Sequence, residues 1–322
     1  MDVLVTGGCG YIGSVLVPLL QTDERVDGVS VLDDCSTGSP RRLMDARVGE
    51  LDFHDGDVRE YGDVERALGG ADAVIHLAAI TGADSTHDRR EATYRTNRGG
   101  TENVLTAANE HGVERVVLAS SCNVYGRAGG TDVDESVAPD PLNPYAETKL
   151  EAEKLLAEHA ERGSVNGTAL RLSTVYGDAP GIRFNLVVNA FVFRALTGRP
   201  LTVYGDGSNW RPFIHARDAA RAFREAALDP ASWPAPVYNV GANRGNYRIR
   251  EIAGIVSEAI GPVAVTYLED ERPGPSYHVN FDRLAGTGFE LDYRLREGVR
   301  ELAGRFEGSD GGATEHGMRV QG

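Results

Sequence analysis

Lysine is almost missing from this 322-residue chain: of 33 basic residues only Lys149 and Lys154 are lysine, and the rest are arginine. With 48 acidic residues the formal net charge is −15, so a phosphate backbone would be repelled and nucleic acid is not expected as a partner. The acidic, lysine-poor composition suggests a salt-adapted or GC-rich source and concerns solubility more than chemistry. Cysteine is scarce too. Cys9, Cys35 and Cys122 offer neither an even count nor metal-like spacing, which argues against disulfides and against any metal site and suits a reducing compartment. No apolar run approaches the ~20 residues of a membrane span, and the first residues enter a strand with no basic leader. A soluble, cytoplasmic protein with no membrane partner is therefore expected. What remains is an ordinary 41% hydrophobic content in a chain long enough for a full core, as one large α/β unit or as two lobes.

The organising stretch comes first. Asp2-Val3-Leu4-Val5-Thr6 reads as a buried strand, Gly7 to Gly13 as a glycine-rich turn, and Ser14 to Leu20 as the opening of a helix. Glycines spaced Gly7-x-x-Gly10-x-x-Gly13 permit a tight turn, close backbone approach to a pyrophosphate, and close helix-on-strand packing. The helix N-terminus adds free N–H groups and a partial positive charge. The next strand, Gly28 to Leu32, ends in Asp33-Asp34, at the distance expected for an acid that binds adenosine ribose hydroxyls.

Further along, Cys35-Ser36-Thr37-Gly38-Ser39-Pro40 is either a turn that wraps the adenosine or an ordinary βα loop. Val48 to Phe53 reads as a third strand. Asp57 could accept a hydrogen bond from an adenine amino group or cap a helix beginning near Arg59. Ala73-Val74-Ile75-His76-Leu77-Ala78-Ala79 is the apolar run of a doubly covered strand, its His76 a packed, hydrogen-bonded residue rather than a base, and its alanines small enough for a cofactor to lie against backbone. Residues 90–110 read as helix. The strand Val113 to Ala119 then delivers Ser120-Ser121-Cys122-Asn123 to a carboxyl end, where open α/β sheets bind ligands. Pro144-Tyr145-Ala146-Glu147-Thr148-Lys149 heads a helix running to His159 and places Tyr145 and Lys149 on one face. An unperturbed tyrosine titrates near pH ~10, too high for a base at neutral pH, but an adjacent ammonium favours the phenolate. A serine hydroxyl on the same substrate oxygen would complete a hydroxyl-deprotonating site.

Together Gly7-x-x-Gly10-x-x-Gly13, Asp33, Asp57-Val58, His76-Leu77-Ala78-Ala79, Asn97-x-x-Gly100-Thr101, Ser120-Ser121-x-x-Val124-Tyr125-Gly126 and Tyr145-x-x-x-Lys149 resemble the extended short-chain dehydrogenase/reductases. Within them the pattern looks like the NAD-dependent nucleotide-sugar epimerase/dehydratase group, with UDP-glucose 4-epimerases nearest. Leu170 to Gly177, Arg211 to His215, Tyr238 to Gly241 and Arg272-Pro273-Gly274 follow in the order this group shows. The resemblance implies an α/β fold, a Rossmann-type doubly wound parallel sheet with a smaller C-terminal substrate-binding lobe. Residues 1–174 would form the NAD-binding domain, with some later segments returning to it, residues 175–306 the lobe, and residues 307–322 a disordered tail. It further implies that Tyr145 is the catalytic base, that Lys149 holds the nicotinamide ribose and lowers the tyrosine's pKa, and that Ser121 binds the reacting hydroxyl. NAD would be held by Gly7, Gly10, Tyr11, Ile12, Gly13, Asp33, Asp34, Ser36, Thr37, Gly38, Asp57, Val58, Leu77, Ala78, Ala79 and Asn97 with Tyr145 and Lys149. Asn185, Arg211 and Arg272 would face the substrate diphosphate, and a homodimer would form through the helices at 90–110 and 145–159.

Departures narrow the chemistry. Sugar 4,6-dehydratases of this group carry an acidic pair where this chain has Cys122 and Asn123, and the related decarboxylases keep a glutamate there, so both reactions are disfavoured. Thr81 and Thr174 stand where 4-epimerases often carry lysine and asparagine, which leaves sugar and nucleotide open. Trp210 and Phe213 are either pocket-lining or core. The reading is an NAD-dependent nucleotide-sugar 4-epimerase, the carboxylate of Asp33 disfavouring a 2′-phosphate and hence NADP. A dehydrogenase or ketoreductase with net redox turnover is the alternative on the same site, and a catalytically idle NAD-binding protein the alternative outside enzymes.

Overall fold

A computed structural model of the chain describes residues 1–83, 85–127, 130–163, 165–268 and 274–307. Its strands are β1 (Asp2–Thr6), β2 (Gly28–Asp33), β3 (Leu51–Asp55), β4 (Ala73–His76), β5 (Arg115–Ser121), β6 (Asn166–Leu172), β7 (Thr174–Tyr176), β8 (Leu201–Tyr204), β9 (Trp210–His215), β10 (Val237–Val240), β11 (Asn246–Arg248) and β12 (Val265–Leu268). Its helices are α1 (Gly13–Gln21), α2 (Tyr61–Leu68), α3 (Arg90–Tyr94), α4 (Gly100–Glu110), α5 (Pro144–Glu161), α6 (Val187–Leu196), α7 (Ala216–Leu228), α8 (Ile249–Ile260), α9 (Asp282–Ala285) and α10 (Leu295–Glu307).

Seven strands form one parallel sheet in the order β10-β6-β5-β4-β1-β2-β3. The central strands β4 and β5 are buried at every residue because helices cover both faces, which is why they read as unbroken apolar runs rather than alternating ones. Strand pleating sends successive side chains to opposite faces. Val3 and Val5 accordingly join the cluster that holds Leu16, Leu20, Phe223 and Ala226 of α1 and α7, whereas Leu4 between them joins Val64, Val104 and Leu156 of α2, α4 and α5. This is a Rossmann-type doubly wound α/β sheet. Strand order reverses at β1, which pairs with both β2 and β4, so the crevice for a ligand opens beyond the carboxyl ends of β1 and β4.

A second cluster lies beyond that edge. Phe191 and Val192 of α6, Ile252 and Val256 of α8, and Val299 and Leu302 of α10 pack around Leu201, Val203 and Phe213, beside a three-stranded β11-β9-β7 sheet and a β12-β8 pair. The chain does not divide at one cut after residue 174: β10 pairs with β6 at the edge of the large sheet, and Phe223 and Ala226 of α7 pack with Leu16 and Leu20 of α1. Residues 308–322, most of the stretch expected as a tail, lie outside the described residues.

Two expectations shift locally. The third strand spans Leu51–Asp55, with Val48–Glu50 wound as a tight turn before it. The 90–110 helix is interrupted by a widened turn at Arg95–Gly99 that carries Asn97. Among the described residues no helix is long and apolar enough to cross a membrane.

Candidate active site

The glycine turn is as close to its surroundings as backbone can be. Gly7 has a φ of 76°, and a Cβ there would stand 2.7 Å from the Ala78 nitrogen; one at Gly13 would stand 2.5 Å from the Gly7 oxygen. Only glycine fits both places. Gly10 donates to the Gly7 oxygen at 3.0 Å, which turns the chain into α1. The N–H groups of Tyr11, Ile12 and Gly13 enter none of the hydrogen bonds among the described residues, so they are open to an anion at the helix start. This cradle fits the pyrophosphate of a dinucleotide.

Asp33, last in β2, accepts from Cys9 N–H and Cys35 N–H, one on each oxygen, both at 2.9 Å. Burial raises its pKa and those two amides hold it back. Asp34 is exposed and spends an oxygen on its own turn, accepting from the Ser36 amide at 3.0 Å and hydroxyl at 2.7 Å. Thr37 is exposed, and Gly38 closes on the glycine turn, where a Cβ would meet the Cys9 oxygen at 2.6 Å. The thiols that linear spacing separates meet here: Cys9, Cys35 and Asp33 offer atoms within 4.8 Å of one another. Burial pushes Cys9 up to about 12 and raises Cys35 as well, so both stay protonated thiols at neutral pH.

Asp57 neither caps a helix at Arg59 nor stands free. The helix begins at Tyr61, and the Asp57 carboxylate accepts from the Arg59 amide at 2.9 Å and from its Nε at 2.7 Å. The side chain of Val58 is core, packed beneath Gly100.

Behind the segment after β4 runs one directed chain of hydrogen bonds. Ala78 N–H donates to Thr6 Oγ1 (3.3 Å) and Thr101 Oγ1 donates to the Asn97 carbonyl (2.6 Å). His76, joined to Thr6 through Nδ1 at 2.6 Å and to Thr101 through Nε2 at 3.1 Å, therefore carries its proton on Nε2. It is a structural histidine, held neutral by burial with a pKa near 3. Between pH ~6.5 and about 3 an unfolded chain protonates this residue and the folded one does not, so stability falls as pH falls, by up to ~1.4 kcal/mol per pH unit. Chemical denaturation measured from pH 7 to 5 is expected to show that slope, and His76→Gln to flatten it. An unchanged slope in the variant contradicts the assignment. Asn97 fixes the segment after β4 in place. Its amide holds Ile80 through N–H and C=O (2.7 and 3.0 Å) and donates to Thr148 Oγ1 (3.0 Å), locking residues 77–80 to α5.

Helix α5 starts where it does because Asn143 caps it, accepting from Ala146 N–H at 3.0 Å, with Pro144 in the first turn. Tyr145 is half-buried and Lys149 only 4% exposed. At the end of β5 pleating again sorts neighbours: Ser120 donates to Glu153 inside the protein, whereas the Ser121 hydroxyl acts on the Tyr145 phenol. Burial raises the phenol's pKa, and Ser121 and then the Arg183 guanidinium pull it back. Lys149 Nζ lies 5.9 Å from the Tyr145 ring centre, and burial brings its own pKa down to about 8, opposed by Glu153.

Two further residues come from later in the chain, Arg211 of β9 and Tyr277, which packs with Cys122 and Val124. The Arg211 guanidinium sits 4.7 Å over the Tyr277 ring and donates to the Trp210 carbonyl at 2.9 Å. Tyr277, 2% exposed, donates to Asn123 Oδ1 at 2.8 Å; burial raises its pKa, and the nearby Tyr145 adds to the rise. Neither Tyr277 nor Arg183 is marked by any linear motif; each is one of many of its kind. Asn185 is exposed and accepts from Arg183 Nε at 3.3 Å. Arg272 lies outside the described residues. Phe213 belongs to the core, while Trp210 lies under Arg248 at 4.9 Å and beside His278.

A dinucleotide cradle at the switch point and a Ser121–Tyr145–Lys149 group beside it agree with the similarities the chain shows. It is 30% identical to the low-salt glycan biosynthesis protein Agl12 of Haloferax volcanii over 96% of this chain and 100% of that protein. The UDP-glucose 4-epimerase of Thermus thermophilus, solved with NAD, superposes with a TM-score of 0.82 at 28% identity, covering 96% of this chain and 100% of that one. A dTDP-glucose 4,6-dehydratase of Streptomyces venezuelae with NAD bound superposes at 0.84 and 27%, covering 95% and 97%. Residues 3–241 match the model of the NAD dependent epimerase/dehydratase family, and the chain belongs to that family of NAD-dependent short-chain dehydrogenase/reductase enzymes.

Proposed function

We propose that this protein is a nucleotide-sugar 4-epimerase of the UDP-glucose/UDP-galactose type, working in the cytoplasm as a homodimer through the 90–110 and 145–159 helices. The observation that carries this reading is the residue pair after Ser121. Elimination of water needs a carboxylic acid there, and Cys122 instead turns inward to the Arg171 carbonyl at 3.2 Å while Asn123, an amide, is fixed by Tyr277. The lack of a carboxylic acid at these two positions favours reversible oxidation over loss of water.

Bound NAD supplies reversible hydride acceptance at the sugar carbon. Ser121 would orient the 4-hydroxyl and Tyr145 would take its proton, then give it back after the 4-keto sugar has turned over. Lys149 would hold the nicotinamide ribose, and the carboxylate of Asp33 the adenosine ribose, which disfavours a 2′-phosphate. Gly7, Gly10 and Gly13 with the amides of Tyr11 to Gly13 would cradle the pyrophosphate; Arg211 and Arg272 would serve the substrate diphosphate.

The test is a panel of UDP-, GDP-, CDP- and dTDP-sugars, with products resolved by chromatography and the NADH band followed in parallel. Interconversion of C4 isomers without accumulation of NADH is expected. Steady NADH release, or a product that has lost water, overturns the reading.

A further inference from the structure

The loop between β7 and α6 delivers an arginine that no motif marks. Its backbone is fixed to the glycine turn: the Asn189 amide donates to the Arg183 carbonyl and to the Tyr11 hydroxyl, each at 3.0 Å, and Tyr11 donates to the Gly177 carbonyl at 2.6 Å. Asn189 is fully buried and accepts from Gly177 N–H at 3.0 Å, so the loop has little freedom. The side chain is held as firmly. Nη1 donates to Thr81 Oγ1 and Nε to Asn185 Oδ1, and Nη2 faces Gly82, 3.9 Å from where a Cβ would be. Thr81 adjoins Ile80, which Asn97 ties to α5. The guanidinium thus bridges the segment after β4 and the β7–α6 loop, near enough to Tyr145 for its charge to act on the phenol.

Both oxygens that orient this guanidinium are neutral. Some buried and half-buried arginines meet carboxylates, as Arg171 meets Glu153 at 2.8 Å and Arg221 meets Asp218 at 2.8 Å, whereas Arg115, like Arg183, is held by neutral oxygens, those of Ala226 and Asn166. Around Arg183 no carboxylate lies within ion-pair distance among the described residues, and the ionisable groups that act on it are the phenols of Tyr145 and Tyr11. An arginine does not shed its proton, and a mostly buried charge without a counter-ion is costly. Such a group, preset by neutral partners with N–H donors to spare, is suited to an anion that arrives with the ligand.

We propose that Arg183 receives an anionic oxygen group of the substrate beside Tyr145, either a phosphate of the diphosphate or a carboxylate on the sugar. The inference rests on the reading of the Tyr145 pocket as a nucleotide-sugar site. It adds a further cation to Arg211 and Arg272, brought by a different element, and makes Thr81 and Asn185 its positioning residues.

Equilibrium binding of UDP-glucose and of UDP-glucuronate to the NAD-loaded protein tests it, with the parent, Arg183→Gln and Arg183→Lys compared. Removing the charge is expected to weaken binding about 30-fold or more. Loss for UDP-glucuronate alone identifies the sugar carboxylate; equal loss for both identifies the diphosphate. Arg183→Lys, which keeps the charge but not the planar fork, should fall between parent and Arg183→Gln, and guards against a variant that fails to fold. Parent-like binding of both ligands by Arg183→Gln overturns the proposal. Because the readout is binding, the two readings fail separately: isomers that interconvert with Arg183→Gln behaving as the parent sink the arginine proposal alone, whereas charge-dependent binding without isomer interconversion sinks the epimerase alone.

Discussion

Tyr145→Phe is expected to lower kcat by about 10²–10⁴-fold, the usual contribution of a positioned proton-transfer group, while the protein still carries its NAD. The substitution deletes one oxygen and keeps the ring, whose place is set by α5: Asn143 and Pro144 start the helix, and Thr148 is tied to Asn97. Nothing in the fold depends on that phenol oxygen. The proton of a sugar hydroxyl, on the other hand, has weaker candidates in Ser121 and His76 among the described residues. Ser121 is a weak base whose hydroxyl also accepts from Asn123 N–H at 3.2 Å, and His76 is walled off behind Thr6 and Thr101. Initial rates with the preferred sugar, read beside the cofactor content of the purified variant, check this. A variant within about tenfold of the parent would mean that the base is another group and would remove the basis for the assigned chemistry.

Glu153→Gln is expected to destabilise the protein by about 3–5 kcal/mol, the cost of leaving one member of a buried ion pair without the other. Arg171 and Glu153 have side chains each 6% exposed and meet through two N–H donors at 3.0 and 2.8 Å. Ser120 donates to the same carboxylate, and Arg171 Nη1 donates to Tyr125 (2.9 Å), which donates to Asn239 (2.7 Å). The network therefore ties α5, β5, β6 and β10 together beneath the site. A thermal midpoint lower by something on the order of 10 °C should report the loss. The paired replacement Glu153→Leu with Arg171→Met should recover much of it, because two well-packed apolar groups need no counter-charge. A second effect follows from position: Glu153 lies one helical turn beyond Lys149 and supports its charge, so the single variant should also hold NAD less tightly. A midpoint within a degree or two of the parent would show that the pair is dispensable.

Much of this was legible along the chain. Unbroken apolar runs leading into His76 and into Ser120-Ser121 mark strands covered on both faces, and glycines three apart between a strand and a helix mark a turn too tight for a side chain. Tyr145 and Lys149, four residues apart, share a helix face for the same local reason, and the fold puts that face at the carboxyl edge of the sheet. Distant pairings were not legible. The cysteine spacing said nothing of Cys9 and Cys35 meeting beside Asp33, Asn97 gave no sign that its amide ties Ile80 to Thr148, and Asp57 had no way to announce Arg59 as its partner.

Local periodicity and backbone freedom thus determined the scaffold, the cradle and the tyrosine helix, since each depends on contacts among residues close in sequence. Tertiary structure alone decided which charges face the phenol. Arg183, 38 positions after Tyr145, comes near enough for its charge to lower the phenol's pKa. Electrostatic influence depends on distance through space and on burial, and neither quantity is written in the order of the residues.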